Sequence, residues 1–215
     1  MPTVTIGDNT GDTYSGTADN WLNETNPVNN GGAYEYFVVS GEIDVGDRSS
    51  SLLKFTGISS IPVGKTITDA TVYLKAWFTQ AVNGFSFTRV LRNWGEGIHT
   101  GAAISDGESS WNCYSYPSTW TTAGCKGSGT DKASSASYST NKSFTSEAYA
   151  SFTSAGILDD VTKFYNGTYS NYGWVLEAAD GYMNEFYSRN YTSGNRPYLS
   201  VTYTNPGTGN FFELF

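Results

Sequence analysis

The stretch TDATVYLKAWF, residues 68–78, alternates apolar and polar side chains along its length. A period of two is typical of a β-strand, because an extended backbone sends successive side chains to opposite faces. One predicted face carries Val72, Leu74 and Ala76. The other carries Tyr73, Lys75 and Trp77. The stretch therefore predicts a strand with one side packed into an apolar core and a polar, aromatic side that faces away from it.

Segments of the same kind recur along the chain and are separated by turns rich in Gly, Asn, Ser and Pro. Further strands are predicted at 3–6, 35–40, 50–57, 84–94, 171–179, 184–191 and 196–204. A helical turn or two is predicted within 147–167, capped by Asp159 or Asp160, with loop and strand as the alternative. Because helices do not alternate with strands, we predict an all-β fold, a two-sheet antiparallel β-sandwich of jelly-roll type.

The composition sets the domain organisation and excludes some partners. The chain has 215 residues, of which 16% are aromatic and 15% charged. Many aromatic residues and few charges favour one large β domain, which we predict to span 1–204. The net charge is −8, and no cluster of Lys and Arg is present to bind phosphates. No run reaches the roughly 20 apolar residues that a membrane span needs, so we expect neither nucleic acid nor membrane as a partner.

Residues 205–215, NPGTGNFFELF, differ in kind from the rest of the chain. NPGTGN is typical of a flexible linker. It leads to an apolar tip made of Phe211, Phe212, Leu214 and Phe215. Because an exposed apolar patch usually marks a contact site, we predict that this tip docks on a partner or on a neighbouring copy of the chain. Folding back onto its own domain is the alternative.

The stretch RVLRNWGEGIHTGAAISDGESSWN, residues 89–112, holds the only histidine, His99, together with several acids. No phosphate-loop, nucleophile-elbow or zinc-protease motif surrounds His99, which is therefore interpreted as a polar loop residue. Asp106, Glu108 and Glu96 are the local candidates for the paired acids of a glycosidase. Without a supporting motif, we predict no catalytic residues and a protein that is not an enzyme.

Acids in this part of the chain also suggest a structural cation. Asp106, Glu108 and Asp131 lie in Gly/Ser-rich loops and are candidate ligands for Ca²⁺, which takes 6–8 oxygen ligands. Surface acids that bind no metal are the alternative, since no Asp-x-Asp-x-Asp-Gly loop is present.

The two cysteines, Cys113 and Cys125, flank a short loop. A disulfide between them would stabilise the protein by ~3 kcal/mol in the chain-entropy model. Two reduced thiols are the alternative. A single histidine and two cysteines disfavour a zinc site.

Aromatic side chains in the stretch WNCYSYPSTW, residues 111–120, suggest carbohydrate binding. A flat ring packs against the CH-rich face of a sugar while polar neighbours bond the hydroxyls. The candidates are Trp111, Tyr114, Tyr116 and Trp120. Of these, Tyr116 and Trp120 are predicted to be exposed. For Trp111, the alternative to sugar binding is burial in the core.

Three segments together resemble the DNRLRE-domain family: SLLKFTGISSIPVGKTITDATVYLKA (51–76), the stretch 89–112 followed by STWTTAGCKGSGTD (118–131), and the C-terminal part with NYG and RPYLSVTYT. They appear in the family's order and cover roughly 50–204. The resemblance implies a jelly-roll β-sandwich. It also implies a non-catalytic module of surface and secreted proteins, some of which are carbohydrate-binding modules of polysaccharide-degrading enzymes.

The N-terminal sequence MPTVTIGDNTGDTY has neither the basic nor the apolar region of a secretion signal. We therefore expect a protein made in a host cytoplasm and displayed on the virion surface of a bacterial virus, as a capsid decoration or tail-associated structural protein. Its expected partners are other virion proteins and surface glycans, and we expect several copies on the particle. The alternative is a carbohydrate-binding module of a secreted or cell-surface bacterial protein.

Overall fold

The computed structural model describes residues 1–7, 16–79, 83–192 and 194–205. Within these ranges the chain forms fifteen strands, one α-helix and one 3-10 helix. The strands are β1 Thr3–Ile6, β2 Thr17–Asn23, β3 Asn29–Asn30, β4 Tyr36–Ser40, β5 Ser49–Phe55, β6 Thr66–Thr79, β7 Phe85–Arg89, β8 Ala102–Ala103, β9 Cys113–Ser115, β10 Ser118–Thr119, β11 Tyr138–Thr140, β12 Tyr149–Thr153, β13 Trp174–Glu177, β14 Met183–Tyr187 and β15 Tyr198–Thr204. The 3-10 helix spans Thr56–Ser60, and the helix α1 spans Ala155–Tyr165.

Most strands join one large antiparallel sheet. Its hydrogen-bonded order is β1-β15-β6-β14-β4-β5-β13-β7-β11, with β12 also paired to β6 and β2 paired to β5. Small two-stranded sheets join β9 to β10 and β3 to β8. The predicted all-β, antiparallel fold is confirmed. The division into two facing sheets and the jelly-roll type stay predictions.

The larger apolar core lies against the predicted inner face of β6. Val72, Leu74 and Ala76 are fully buried there, as their alternation predicted. Aromatic rings fill the space between the strands. Phe152 lies within 5.5 Å of the ring of Phe85 and 4.9 Å of that of Phe87, measured between ring centroids. Stacked and tilted contacts of this kind add to the free energy gained from burial.

A second, smaller core covers the opposite face of part of the sheet. Along β13, Trp174 and Leu176 belong to the larger core, whereas Val175 between them belongs to the smaller one. The long segment that follows β7 supplies the cover, through Trp94, Trp111, Trp120 and Cys125. This segment therefore buries the outer face of the sheet under its own aromatic side chains.

The helix α1 begins after Ser154, whose hydroxyl accepts a hydrogen bond from the backbone N–H of Ile157. The predicted caps, Asp159 and Asp160, were wrong, because both lie inside the helix. Asp160 is buried and accepts a hydrogen bond from the indole N–H of Trp174. It also pairs with Arg89 at 3.2 Å, so this acid ties the helix to the sheet.

Two predictions concern the chain's outer contacts. The predicted docking residues Phe211, Phe212, Leu214 and Phe215 lie outside the described residues, so docking stays a prediction. Within the described ranges, no helix is both long and apolar enough to cross a membrane.

The aromatic core makes a direct stability prediction. Phe152→Ala should lower the free energy of unfolding by about 3–5 kcal/mol, because it empties a fully buried site. Phe78→Ala is the matched control, since this ring is 41% exposed on the same sheet and should cost about 1 kcal/mol or less. Urea denaturation of both variants measures the difference. Equal costs would contradict a core built around Phe152.

Candidate functional site

The predicted sugar-binding residues mostly lie inside the protein. Trp111 and Trp120 are each only 5% exposed, and the indole N–H of Trp120 donates a hydrogen bond to the carbonyl of Ser110. The predicted exposure of Trp120 was therefore wrong, because the loop folds its apolar rings onto the sheet. Tyr114 is half-buried and packs edge-on against Trp120. Tyr116 is 43% exposed, as predicted. The four residues do not form an open aromatic surface.

The two cysteines are free thiols, and both are buried. Of the two alternatives, a disulfide and two reduced thiols, the structure has the second: Cys125 packs in the smaller core, and Cys113 is not a member of that cluster. The Cys125 thiol lies 3.8 Å from the carbonyl oxygen of Asp131. Burial raises the pKa of both thiols, so both favour the protonated form.

The predicted calcium ligands organise loops and do not converge. Asp131 is fully buried and accepts hydrogen bonds from the backbone N–H groups of Thr121, Thr122 and Gly127. Glu108 accepts hydrogen bonds from the N–H groups of Ser105 and Ile98 and lies 3.3 Å from His99. Asp106 is exposed. Across the described ranges, no three His, Cys, Asp or Glu side chains are placed to hold a metal ion.

A different set of aromatic side chains forms a continuous row, which we call the aromatic row. Its members, in spatial order, are Trp21, Tyr34, Tyr36, Trp77, Tyr187 and Tyr191. The successive ring centroids lie 5.4, 5.7, 4.9, 6.2 and 4.2 Å apart. Trp77, in the middle, is 42% exposed, and the others are half-buried apart from the buried Tyr187. Rings in successive tilted and stacked contacts of this kind form one extended surface.

Sheet pairing places the middle of the row. Tyr36 begins β4 and lies directly opposite Tyr187, the last residue of β14. Trp77 lies near the end of β6, where the register with β14 shifts between Glu185 and Phe186. Such an irregularity re-aims side chains, and here the Trp77 ring contacts both tyrosines.

Loop hydrogen bonds hold the two outer tyrosines of the row. The carbonyl oxygen of Tyr34 accepts a hydrogen bond from the hydroxyl of Ser188, in the loop that leads to Tyr191. Asn190 in the same loop donates to the carbonyl of Gly32 at 2.8 Å. A Cβ built on Gly32 would lie 2.1 Å from the carbonyl oxygen of Glu96, so only glycine fits. Gly31 and Gly32, at the end of the turn 26–32, thus let three loops meet beside the row.

Two pockets open along the row. The first, which we call the asparagine pocket, has a volume of about 170 Å³. Its lining consists of Trp21, Asn23, Asn26, Asn29, Asn30, Gly31, Tyr34 and Gly101. The second is a groove of about 250 Å³ lined by Glu35, Tyr36, Trp77, Tyr187 and Tyr191. Amide donors and acceptors therefore lie at one end of the row, and flat rings lie along the rest.

Acids influence the tyrosines of the row. Glu147 accepts a hydrogen bond of 2.7 Å from the hydroxyl of Tyr187. Burial and this carboxylate together raise the pKa of Tyr187. Burial first, and then the charge of Glu185, raise the pKa of Tyr36. Both phenols consequently stay neutral hydrogen-bonding groups over the whole physiological pH range.

An ionic cluster of Asp19, Glu96 and Arg189 holds the loop at one end of the row. Asp19 is almost fully buried, and its carboxylate accepts a hydrogen bond from the backbone N–H of Arg189 at 2.8 Å. The Arg189 guanidinium pairs with Glu96 at 2.6 Å, and Glu96 in turn accepts the backbone N–H of Asp19. Burial raises the pKa of both acids, and for Asp19 the charge of Glu96 adds to the rise. This cluster fixes the loop that carries Tyr191.

The comparisons with known proteins add no relative. A scan against models of protein families finds no match, and neither does a search of curated proteins. The candidate site therefore depends on the geometry of this chain alone.

Sequence reasoning found Trp77 as an outward-facing residue but missed the rest of the row. The available signal was the recurrence of Trp and Tyr at positions next to predicted strand ends, as in 34–36 and 187–191.

The buried acids predict a measurable pH dependence. The pKa of Asp19 in the folded protein lies above the ordinary value of 3.8, so the folded state binds the proton more tightly than the unfolded state. The stabilisation is fully present below that ordinary value and is lost as pH rises through the raised pKa. Asp19→Asn keeps an oxygen for the Arg189 N–H and removes the charge.

We expect Asp19→Asn to raise the free energy of unfolding at pH 7 by about 1.4 kcal/mol for each unit of pKa shift it removes. Its stability should also fall less steeply between about pH 4 and pH 7. Denaturation at several pH values measures both effects, with Asp106→Asn as an exposed control. If the stability of Asp19→Asn depends on pH as steeply as that of the wild type, the pKa of Asp19 is not raised in the folded protein.

Proposed function

We propose that this protein is a non-catalytic carbohydrate-binding protein that holds a glycan chain along the aromatic row. The observation that carries the proposal is the uninterrupted sequence of ring contacts from Trp21 to Tyr191, with Trp77 exposed at its centre. A sugar ring has CH-rich faces that pack on aromatic rings, and its hydroxyls need hydrogen-bonding partners at the rim. The row and the asparagine pocket together offer both.

The shape of the site favours a chain over a small molecule. Both pockets are lined by rings of the row, and the contact between Tyr34 and Tyr36 joins one lining to the other. A glycan laid lengthwise would contact several rings at once, and weak contacts at successive rings add up over the chain. Strands and hydrogen-bonded loops fix the rings, so little conformational entropy is lost on binding.

Two of the three acids considered for glycoside hydrolysis, Glu96 and Glu108, have other roles, which supports binding without catalysis. Glu96 pairs with Arg189, and Glu108 organises its own loop through backbone N–H groups. A glycosidase needs two carboxyl groups across the scissile bond, free to exchange protons with the substrate. The resemblance to the DNRLRE-domain family points toward the same class of non-catalytic module.

The binding proposal predicts the effect of removing the central ring. Trp77→Ala should weaken binding to a recognised polysaccharide about tenfold to a hundredfold, because a ring of this size contributes ~1.5–3 kcal/mol when covered. Affinity gel electrophoresis against a panel of soluble glucans, mannans, xylans and galacturonans measures the change.

Tyr116→Ala is the matched control for that experiment. Its ring is exposed to the same degree as Trp77 but makes no contact with the aromatic row among the described residues. We expect this variant to bind as the wild type does. Binding that depends on Tyr116 and survives Trp77→Ala would place the site in the 111–120 loop and contradict the proposal.

We also propose, as the biological setting, display on the particle of a bacterial virus. The supporting observation is the group of apolar residues at 211–215 that follows the sequence NPGTGN. Deleting 205–215 should then abolish incorporation into the particle while glycan binding persists. Density-gradient sedimentation of particles, with mass spectrometry of each fraction, measures the occupancy. Wild-type occupancy after the deletion would count against the docking tail, and absence of the intact chain from particles would favour a secreted or cell-surface protein.

A further inference from the structure

The side chains around the aromatic row carry a charge pattern that selects among glycans. Neither pocket is lined by a lysine or an arginine in the part of the chain that the structure describes. Among the described residues, the asparagine pocket has only amide, aromatic and glycine lining, and Glu35 is the one charged residue that lines the groove. An anionic sugar placed on the row would therefore lose water from its carboxylate without gaining a cation.

Three cations near the row have partners of their own. Lys75 lies 5.8 Å from the ring of Tyr187, but it pairs with Glu147 at 3.6 Å and donates to Asn195 at 2.7 Å. Arg189 follows shortly after Tyr187 in the chain and directs its guanidinium to Glu96.

A third cation, Arg196, donates a hydrogen bond from Nε to the carbonyl oxygen of Tyr191 at 2.7 Å. It supports the end of the row from the backbone side and lines neither pocket.

Two acids at the row, Glu35 and Glu185, are not neutralised by these cations. Glu35 lines the groove and is exposed, and Glu185 lies close enough to Tyr36 to raise the pKa of its phenol. Neither forms an ion pair among the described residues, whereas Lys75 and Arg189 each have one. Added to a net charge of −8 for the chain, this pattern repels polyanions.

We infer that the aromatic row takes uncharged polysaccharides and discriminates against uronate and other anionic glycans, an inference that rests on the proposed carbohydrate binding. Uncharged hydroxyls suit the amide groups of the asparagine pocket, which both donate and accept hydrogen bonds. Discrimination comes from repulsion and from a carboxylate left without a partner, and both act against the wrong ligand.

The test uses pairs of polysaccharides that share a backbone and differ in charge. Hydroxyethyl cellulose is compared with carboxymethyl cellulose, and fully methyl-esterified polygalacturonan with its de-esterified form. We expect the neutral member of a recognised pair to bind about tenfold tighter or more at low salt. Raising the salt should narrow the gap by strengthening only the binding of the anionic member, because repulsion between exposed charges is screened.

A charge-reversal variant locates the cause. Glu35→Lys should raise the affinity for the anionic member several-fold relative to the affinity for the neutral member. Because Glu35 is exposed, its replacement should leave the fold intact. Asp106→Lys, at an exposed site that lines neither pocket, is the control for net charge alone. If Asp106→Lys has the same effect as Glu35→Lys, the discrimination does not arise at the groove and the inference fails.

The outcomes separate this inference from the proposed function. An anionic member that binds as tightly as the neutral one, with or without added calcium, and loses binding in Trp77→Ala overturns the charge selection and leaves carbohydrate binding intact. No binding to either member of any pair overturns both. Tighter binding of the neutral member, lost in Trp77→Ala, supports both.

Discussion

The alternation of side chains along β6 is the constraint on which the rest of the molecule depends. Its inner positions, Val72, Leu74 and Ala76, are fully buried, and β6 pairs with β12, β14 and β15. Because successive side chains must point to opposite faces, the same strand that builds the core also presents Trp77 outward. Core and candidate site are therefore two faces of one strand, and a slip in register would exchange them.

This constraint also explains which parts of the fold could be predicted. Segments with a clear period of two, such as 3–6, 68–78 and 196–204, are strands in the structure. The strand β2 was missed because its sequence, TADNWLN, is polar and lacks that period. Its buried polar groups are compensated by distant partners. Asn20, for example, donates to the carbonyl of Ser109 and accepts the N–H of Gly31. Such long-range pairing leaves no local pattern in the sequence.

The candidate site was harder to predict for the same reason. Whether a ring is exposed depends on whether distant parts of the chain pack over it. A cluster of aromatic residues in a loop therefore does not show which of its rings are exposed. Trp111 and Trp120 lie in a loop-like stretch, but the loop uses them to cover the outer sheet face over Leu52 and Val175. The aromatic row instead draws its rings from four strands and two loops distant in sequence. Only the sheet order brings them together.

The exposure of Trp77 in the row contrasts with the burial of other tryptophans on the outer face of the same sheet. The segment after β7 buries three tryptophans over one part of the outer sheet face, at a gain of roughly 25 cal/mol for each Å² removed from water. No described segment covers Trp77 in the same way, although covering it would stabilise the fold. An apolar surface left open beside a covered one is typical of a contact site. The rings of the row also pack against each other and are held by Ser188, Asn190 and the buried Asp19 cluster. The fold thus leaves the centre of the row, at Trp77, open to solvent and fixes the rings on either side of it.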